Sequence, residues 1–205
     1  MLREVLRKPV AKLLLVLFAL MPFAWLCSGI FLDRLGPNPA EYLIRSTGDW
    51  TLRFLCVTLL VTPLRVICNM PELLRFRRNL GVLTFFYALM HALCYSVFDM
   101  GLEWDEIVLD IAKRPLIAVG FAGAVLLSLL AATSFNAAIK MLGAARWRSL
   151  HRAVYAIAVL AILHFFWMRS GKQNFSEVFV YAGILGALLG WRVWHAAHTR
   201  SLSRP

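Results

Sequence analysis

Three stretches without a charged residue, 13–32, 79–98 and 115–139, each supply the about 20 mainly apolar residues that a helix needs to cross a ~30 Å hydrocarbon core. Nothing else in the sequence restricts the fold as much. In lipid the backbone must satisfy its own polar groups, and helices do so within a single segment. Pro115 suits the first turn of the third stretch. Two shorter runs, 153–168 and 178–191, reach spanning length if Arg152, Arg169 and Arg192 snorkel outwards from their ends. A sixth run, 54–64, does so when extended over 50–70. The expectation is an all-α integral membrane protein built as a bundle of six transmembrane helices in one domain over 1–205. The spans are predicted at about 11–32, 50–70, 79–99, 115–136, 149–169 and 176–195. The first is longer than the apolar region of a signal peptide and no A-x-A site follows it, so it reads as a retained anchor.

Composition agrees. The 205 residues are 60% hydrophobic and 16% charged, with a mean hydropathy of +0.70. A soluble domain carries about 25% charged residues, so a cytosolic globular enzyme and a disordered chain are both excluded. The net charge of +11 would suggest nucleic acid in a soluble protein. Here it reads as topology, with membrane lipid and no nucleic acid as the expected surroundings. The N-terminus (Arg3, Arg7, Lys8, Lys12), the second loop (Arg75, Arg77, Arg78) and the fourth (Lys140, Arg146, Arg148) are basic, and the tail carries Arg200 and Arg204. The third loop is acidic (Glu103, Asp105, Glu106, Asp110). Lys and Arg favour the cytoplasmic side, which places both termini there. The fifth loop (Arg169, Lys172) is mildly basic yet falls outside by alternation. Within the third loop, Trp104, Ile107, Val108 and Ile111 recur at helical spacing and predict a short interfacial helix. The tract 37–50 reads as a less regular version of the same. Cys27, Cys56, Cys68 and Cys94 form no C-x-x-C pair and read as small buried hydrophobes.

Ionisable groups inside a membrane mark functional sites by default. The middles of the predicted spans hold no Asp, Glu or Lys, which leaves histidine. His91 is about 18 Å of helix rise beyond Asn79, and His164 about 21 Å beyond Leu150. Both of their spans run the same way, so the two imidazoles are predicted at nearly equal depth. One haem iron held by two axial histidines requires such a match. The bland alternative is that each imidazole bonds a neighbouring helix. His151 lies about 19.5 Å below His164 along the helix and roughly 140° around it. Fourteen residues before His91 stands Arg77, which has no lone pair for iron but could pair with a propionate. His195 and His198 end the sixth span and read as interface residues, with a sixth-ligand role as the alternative. Phe85, Phe86, Tyr87, Phe165, Phe166 and Trp167 read first as packing. Gly120, Gly123, Gly183, Gly186 and Gly190 allow close helix approach. A cofactor-free transporter titrating on histidine remains the competing class.

Five segments, TLLVTPLR (58–65), RRNLGVLTFFYALMH (77–91), KRPLIAVG (113–120), LHRAVY (150–155) and LHFFW (163–167), carry a resemblance in their order and spacing. Together they resemble the haem-binding membrane subunits of bacterial periplasmic methionine sulfoxide reductase systems, within the ferric-reductase-like transmembrane family. The resemblance implies haem b, one or two per chain, with His91, His151 and His164 on iron. It also implies FMN, for which the sequence carries no independent motif. Electrons would come from the quinone pool and pass to a molybdenum-containing periplasmic partner, MsrP, as a heterodimer in the bacterial inner membrane. That partner would repair methionine sulfoxide in periplasmic proteins. A ferric or flavin-coupled transmembrane reductase is the variant reading, and no catalytic site of the chain's own is evident.

Overall fold

The computed structural model describes residues 2–171 and 173–202. Lys172 and Arg204, counted among the loop charges above, lie outside them. The described chain is helical, with no strand: α1 (Leu2–Arg7), α2 (Pro9–Phe31), α3 (Pro39–Ile67), α4 (Leu74–Cys94), α5 (Trp104–Lys113), α6 (Pro115–Ala132), α7 (Asn136–His151), α8 (Ala153–Ser170) and α9 (Ser176–Leu202). A 3₁₀ turn, Pro71–Leu73, leads into α4, and a π-helical turn, Tyr95–Asp99, extends it. Six helical stretches are long and apolar enough to cross a membrane: Pro9–Phe31, Pro39–Ile67, Pro71–Asp99, Pro115–Ala132, Asn136–Ser170 and Ser176–Thr199. The chain is a multi-pass membrane protein. An even number of crossings returns both termini to one side of the bundle, the near end; α5 is at the far end.

The second span differs most from expectation. It begins at Pro39 rather than near Trp50, so the tract expected as an interfacial segment is the first half of α3. Asn38 caps this helix by accepting a hydrogen bond from the Glu41 amide at 3.1 Å, and Pro39 occupies its first turn. Beyond the cap, Glu41, Arg45, Asp49 and Arg53 follow at four-residue spacing, one charged stripe on a continuous helix. Glu41 and Arg45 pair at 2.6 Å, and Arg53 donates to the Tyr181 hydroxyl of α9 at 3.2 Å. Asp49 therefore lies inside a spanning helix, which the shorter predicted span had excluded. The helix expected in the third loop is present as α5 with Ile107 buried, while Trp104 and Val108 stay exposed.

The core lies between α3, α4, α6, α8 and α9, where Leu55, Leu59, Ile157 and Ala158 are almost wholly enclosed. Large apolar side chains such as Phe18, Trp25, Phe121, Val159 and Phe179 point outwards, as a lipid-facing surface requires. Prolines inside two spanning helices break their hydrogen-bond ladders, and a neighbouring side chain bonds the main chain beside each of them. Beside Pro22 the buried Tyr87 hydroxyl enters α2, donating to the Ala19 carbonyl at 2.7 Å and accepting from the Phe23 amide at 3.2 Å. In α3, Pro63 has no N–H for the Leu59 carbonyl, and the Arg192 guanidinium donates to that oxygen instead. Arg192 therefore turns inwards rather than snorkelling. Arg169 also stays within the protein, paired with Glu177 and lying over the Phe165 ring, whereas Arg152 is exposed. Of the cysteines only Cys56 is buried and Cys68 is exposed, a departure explained by its place at the C-cap of α3.

Candidate functional site

His91 on α4 and His164 on α8 meet. Their ring centres are 6.1 Å apart and their planes nearly perpendicular, at 81°. The matched depth read from helix rise is thus realised as direct proximity. Each ring is tied through Nδ1 to a main-chain carbonyl of an adjoining helix: His91 to Ile44 of α3 at 2.8 Å, His164 to Leu116 of α6 at 2.9 Å. A carbonyl only accepts, so each Nδ1 carries the proton and donates it. Nε2 is then the lone-pair nitrogen of both rings. The alternative reading, a histidine bonding a neighbouring helix, is therefore present, but it uses only Nδ1 of each ring.

Each carbonyl stands one turn before a glycine, Gly48 in α3 and Gly120 in α6, and each imidazole lies directly against that glycine. Gly120 had been singled out in the sequence, but only for helix approach. Gly48 and the two carbonyls had not, because a main-chain acceptor carries no residue signature. Of the other aromatic residues beside the histidines, Phe86 packs on Phe23, Phe165 on Tyr181 and Phe166 on Phe175, which is packing as expected.

Towards the near end, a cavity of about 790 Å³ opens between α3, α4, α6, α7 and α8. Its volume falls within the ~300–1,000 Å³ usual for small-molecule and cofactor pockets. Arg77, Arg78, Arg148 and Arg152 line it without any Asp or Glu, alongside His151 and the Thr58 and Thr84 hydroxyls, which lie 3.3 Å apart. His151 and Arg77 therefore share one site, remote from the His91–His164 pair. His151 ends α7 and α8 starts at Ala153, with only Arg152 between them. His151 bonds its own helix, Nδ1 to the Trp147 carbonyl at 3.1 Å, and stacks on Trp147 at 4.0 Å between ring centres. Its Nε2 lies 3.5 Å from the Ser134 hydroxyl. His195 does not line this cavity; it stacks on Trp191, and His198 stacks on Trp194.

The ferric reductase like transmembrane component family matches residues 47–162, a range that holds both Gly48 and His91 and stops just short of His164. The chain is 62% identical over 187 residues to the protein-methionine-sulfoxide reductase heme-binding subunit MsrQ of Polaromonas naphthalenivorans, covering 91% of this chain and 85% of that one. It belongs to the MsrQ family. The MsrQ of Ralstonia nicotianae is 52% identical over 87% of this chain and 82% of its own length. The MsrQ of Caulobacter vibrioides is 40% identical over 90% and 87%. No solved structure matches the chain.

Proposed function

We propose that the chain is the haem b-binding membrane subunit of a methionine sulfoxide reductase system, with His91 and His164 as the two axial ligands of one haem. The observation that carries this reading is the pair of proton-fixed imidazoles 6.1 Å apart. Two metal–imidazole bonds of about 2.0–2.1 Å between two rings put the ring centres roughly 6 Å apart. Among the described residues no group of three or more His, Cys, Asp or Glu could hold a bare metal ion. A two-histidine donor set fits an iron whose other four positions a porphyrin fills. The haem supplies one-electron redox chemistry. The chain's own part is to hold both rings rigidly, fix their tautomer and keep the pair within an apolar bundle.

The near cavity is read as the second site. His151 supplies one ligand to an inner haem, and Arg77 with its neighbouring arginines pairs with propionates or another anionic group. FMN, which the family resemblance implies, would meet the same positive lining. Both termini and the near end face the cytoplasm of a bacterial inner membrane, following the basic N-terminus and second and fourth loops. The whole chain acts as one domain. Electrons enter from the quinone pool and leave at the far end to a molybdenum-containing periplasmic MsrP. Glu103, Asp105 and Glu106 are exposed there for docking, whereas Asp110 is engaged by Arg114 and Tyr95.

The test is direct. Protein purified in mild detergent after expression with ample haem should show a b-type absorption spectrum that sharpens on adding dithionite. A colourless preparation would overturn the reading in favour of a cofactor-free transporter.

A further inference from the structure

Both imidazoles of the far pair rest on seats of the same construction. A helix carbonyl points along the axis towards the residue four positions on. A ring that donates to this oxygen must therefore lie over that residue. In α3 the oxygen belongs to Ile44 and the residue beneath the ring is Gly48; in α6 they are Leu116 and Gly120. A Cβ at Gly120 would stand 2.7 Å from Cε1 and Nδ1 of His164, closer than real Cβ atoms come. A Cβ at Gly48 would stand 3.2 Å from the same atoms of His91, tight but open to a small adjustment. Neither ring can withdraw without lengthening its Nδ1 bond. The feature is confined to these two places: in α6 a Cβ at Gly123 would meet only Leu160, at 4.0 Å, and the α9 glycines Gly183, Gly186 and Gly190 face open space.

We propose that Gly48 and Gly120 are positioning residues for the two axial ligands. By leaving room over the Ile44 and Leu116 carbonyls, they keep each Nδ1–H in its hydrogen bond and each ring at its present angle, Gly120 more strictly than Gly48. The inference rests on the haem reading above. A bond from Nδ1–H to a carbonyl orients a ligating imidazole and raises its basicity, and losing such outer support commonly weakens metal retention about 10–100-fold.

The experiment uses the full-length protein in detergent as wild type, Gly120→Ala, Gly48→Ala, Gly123→Ala and His164→Ala. It measures haem per protein, the low-temperature EPR signal of the oxidised haem and its midpoint potential. Gly120→Ala should retain about 10–100-fold less haem at limiting supply. Any haem that remains should show a shifted largest g value, which reports the angle between the ring planes, and a higher potential from a less basic ligand. Gly48→Ala should move the same signals less, and Gly123→Ala should match wild type. Gly120→Ala and Gly48→Ala proteins with wild-type EPR signal and potential would overturn the proposal. So would Gly123→Ala moving those signals as far. If Gly120→Ala does not accumulate in the membrane, Gly48→Ala decides. A colourless wild type, or His164→Ala with its full haem complement, defeats the haem reading itself and is thereby told apart from failure of the seats.

Discussion

The far histidine pair and the near cavity use the same residue types but restrain them differently. At the far pair each imidazole is tied to a helix other than its own, so two helix–helix contacts, α4 with α3 and α8 with α6, fix the rings. At the near cavity the one imidazole, His151, has its shorter bond to its own helix α7 and only a 3.5 Å contact from Nε2 to the Ser134 hydroxyl outside it, and α7 bends at Gly143, where φ is +73°. Opposite it stand arginines rather than a second imidazole. Restraint between helices holds a ligand against the whole bundle. A ring bonded mainly within one short helix moves with that helix. The far pair is thereby held in one rigid geometry, and the near imidazole with more latitude beside its arginines.

The largest expected effect separates the two regions outright. His91→Ala and His164→Ala should each abolish the same haem signal in reduced-minus-oxidised spectra, since either change leaves the iron with one axial ligand. His151→Ala should leave that signal in place. Singles at His91 and His164 that removed different haems would break the pairing on which the comparison stands.

The second effect concerns the near cavity alone. A haem bound there should disappear in His151→Ala and should wash out of wild type before the far haem during detergent exchange, as haem-to-protein stoichiometry would show. The His195→Ala/His198→Ala double mutant should match wild type, because His195 and His198 stack on Trp191 and Trp194. An inner haem that outlasts the outer one would reverse the contrast in restraint.

How far the sequence revealed these regions follows from what each is made of. The far pair was legible because depth along two parallel spans depends only on helix rise and on where charges bound the apolar runs. Its seats were not, since the acceptors are main-chain oxygens and a glycine in a spanning helix has many uses. The first half of α3 was missed because hydropathy divided the helix at its charged stripe. Asn38, Pro39 and Glu41 together marked its start, and the four-residue spacing from Glu41 to Arg53 marked its continuity. The turn at Arg152 was not legible either, because nothing in the residues around it announces where one helix ends and the next begins. The inward turn of Arg192 becomes intelligible only with Pro63, whose missing N–H leaves an oxygen for it to satisfy.

A smaller effect should appear at Tyr87, one turn before His91 on α4. Its hydroxyl holds the break in α2 beside Pro22 and is wholly buried. Tyr87→Phe leaves the Ala19 carbonyl and the Phe23 amide facing each other across a gap, and should lower stability by about 1–2 kcal/mol. Thermal unfolding in detergent would measure this. The far haem's EPR signal should remain that of wild type, because the His91 ring is held by α3 rather than α2. A shifted signal would show that rigidity at the pair depends on α2 as well.

The smallest effect lies outside the membrane, where α5 joins the far end of α4. Asp110 receives hydrogen bonds from the Arg114 guanidinium and the Tyr95 hydroxyl, and these bonds, that from Arg114 foremost, hold its carboxyl below the usual carboxylate range. A group whose folded pKa is depressed stabilises the fold fully above its unfolded value, about 3.9 for Asp, and loses that contribution as pH falls through the folded value. Arg114 is half exposed, so the tie is worth about 0.2–1 kcal/mol, as for a surface ion pair. Hydrogen exchange at the α5 amides, corrected for intrinsic rate, should therefore show constant protection from neutral pH to about 4 and falling protection below it. In Asp110→Asn protection should start lower and stay flat with pH. Flat protection in the wild type would mean that α5 is held by Ile107 and its apolar face alone. The haem signal should not change over the range in which only this tie is lost, because neither seat of the far pair contains a titrating partner.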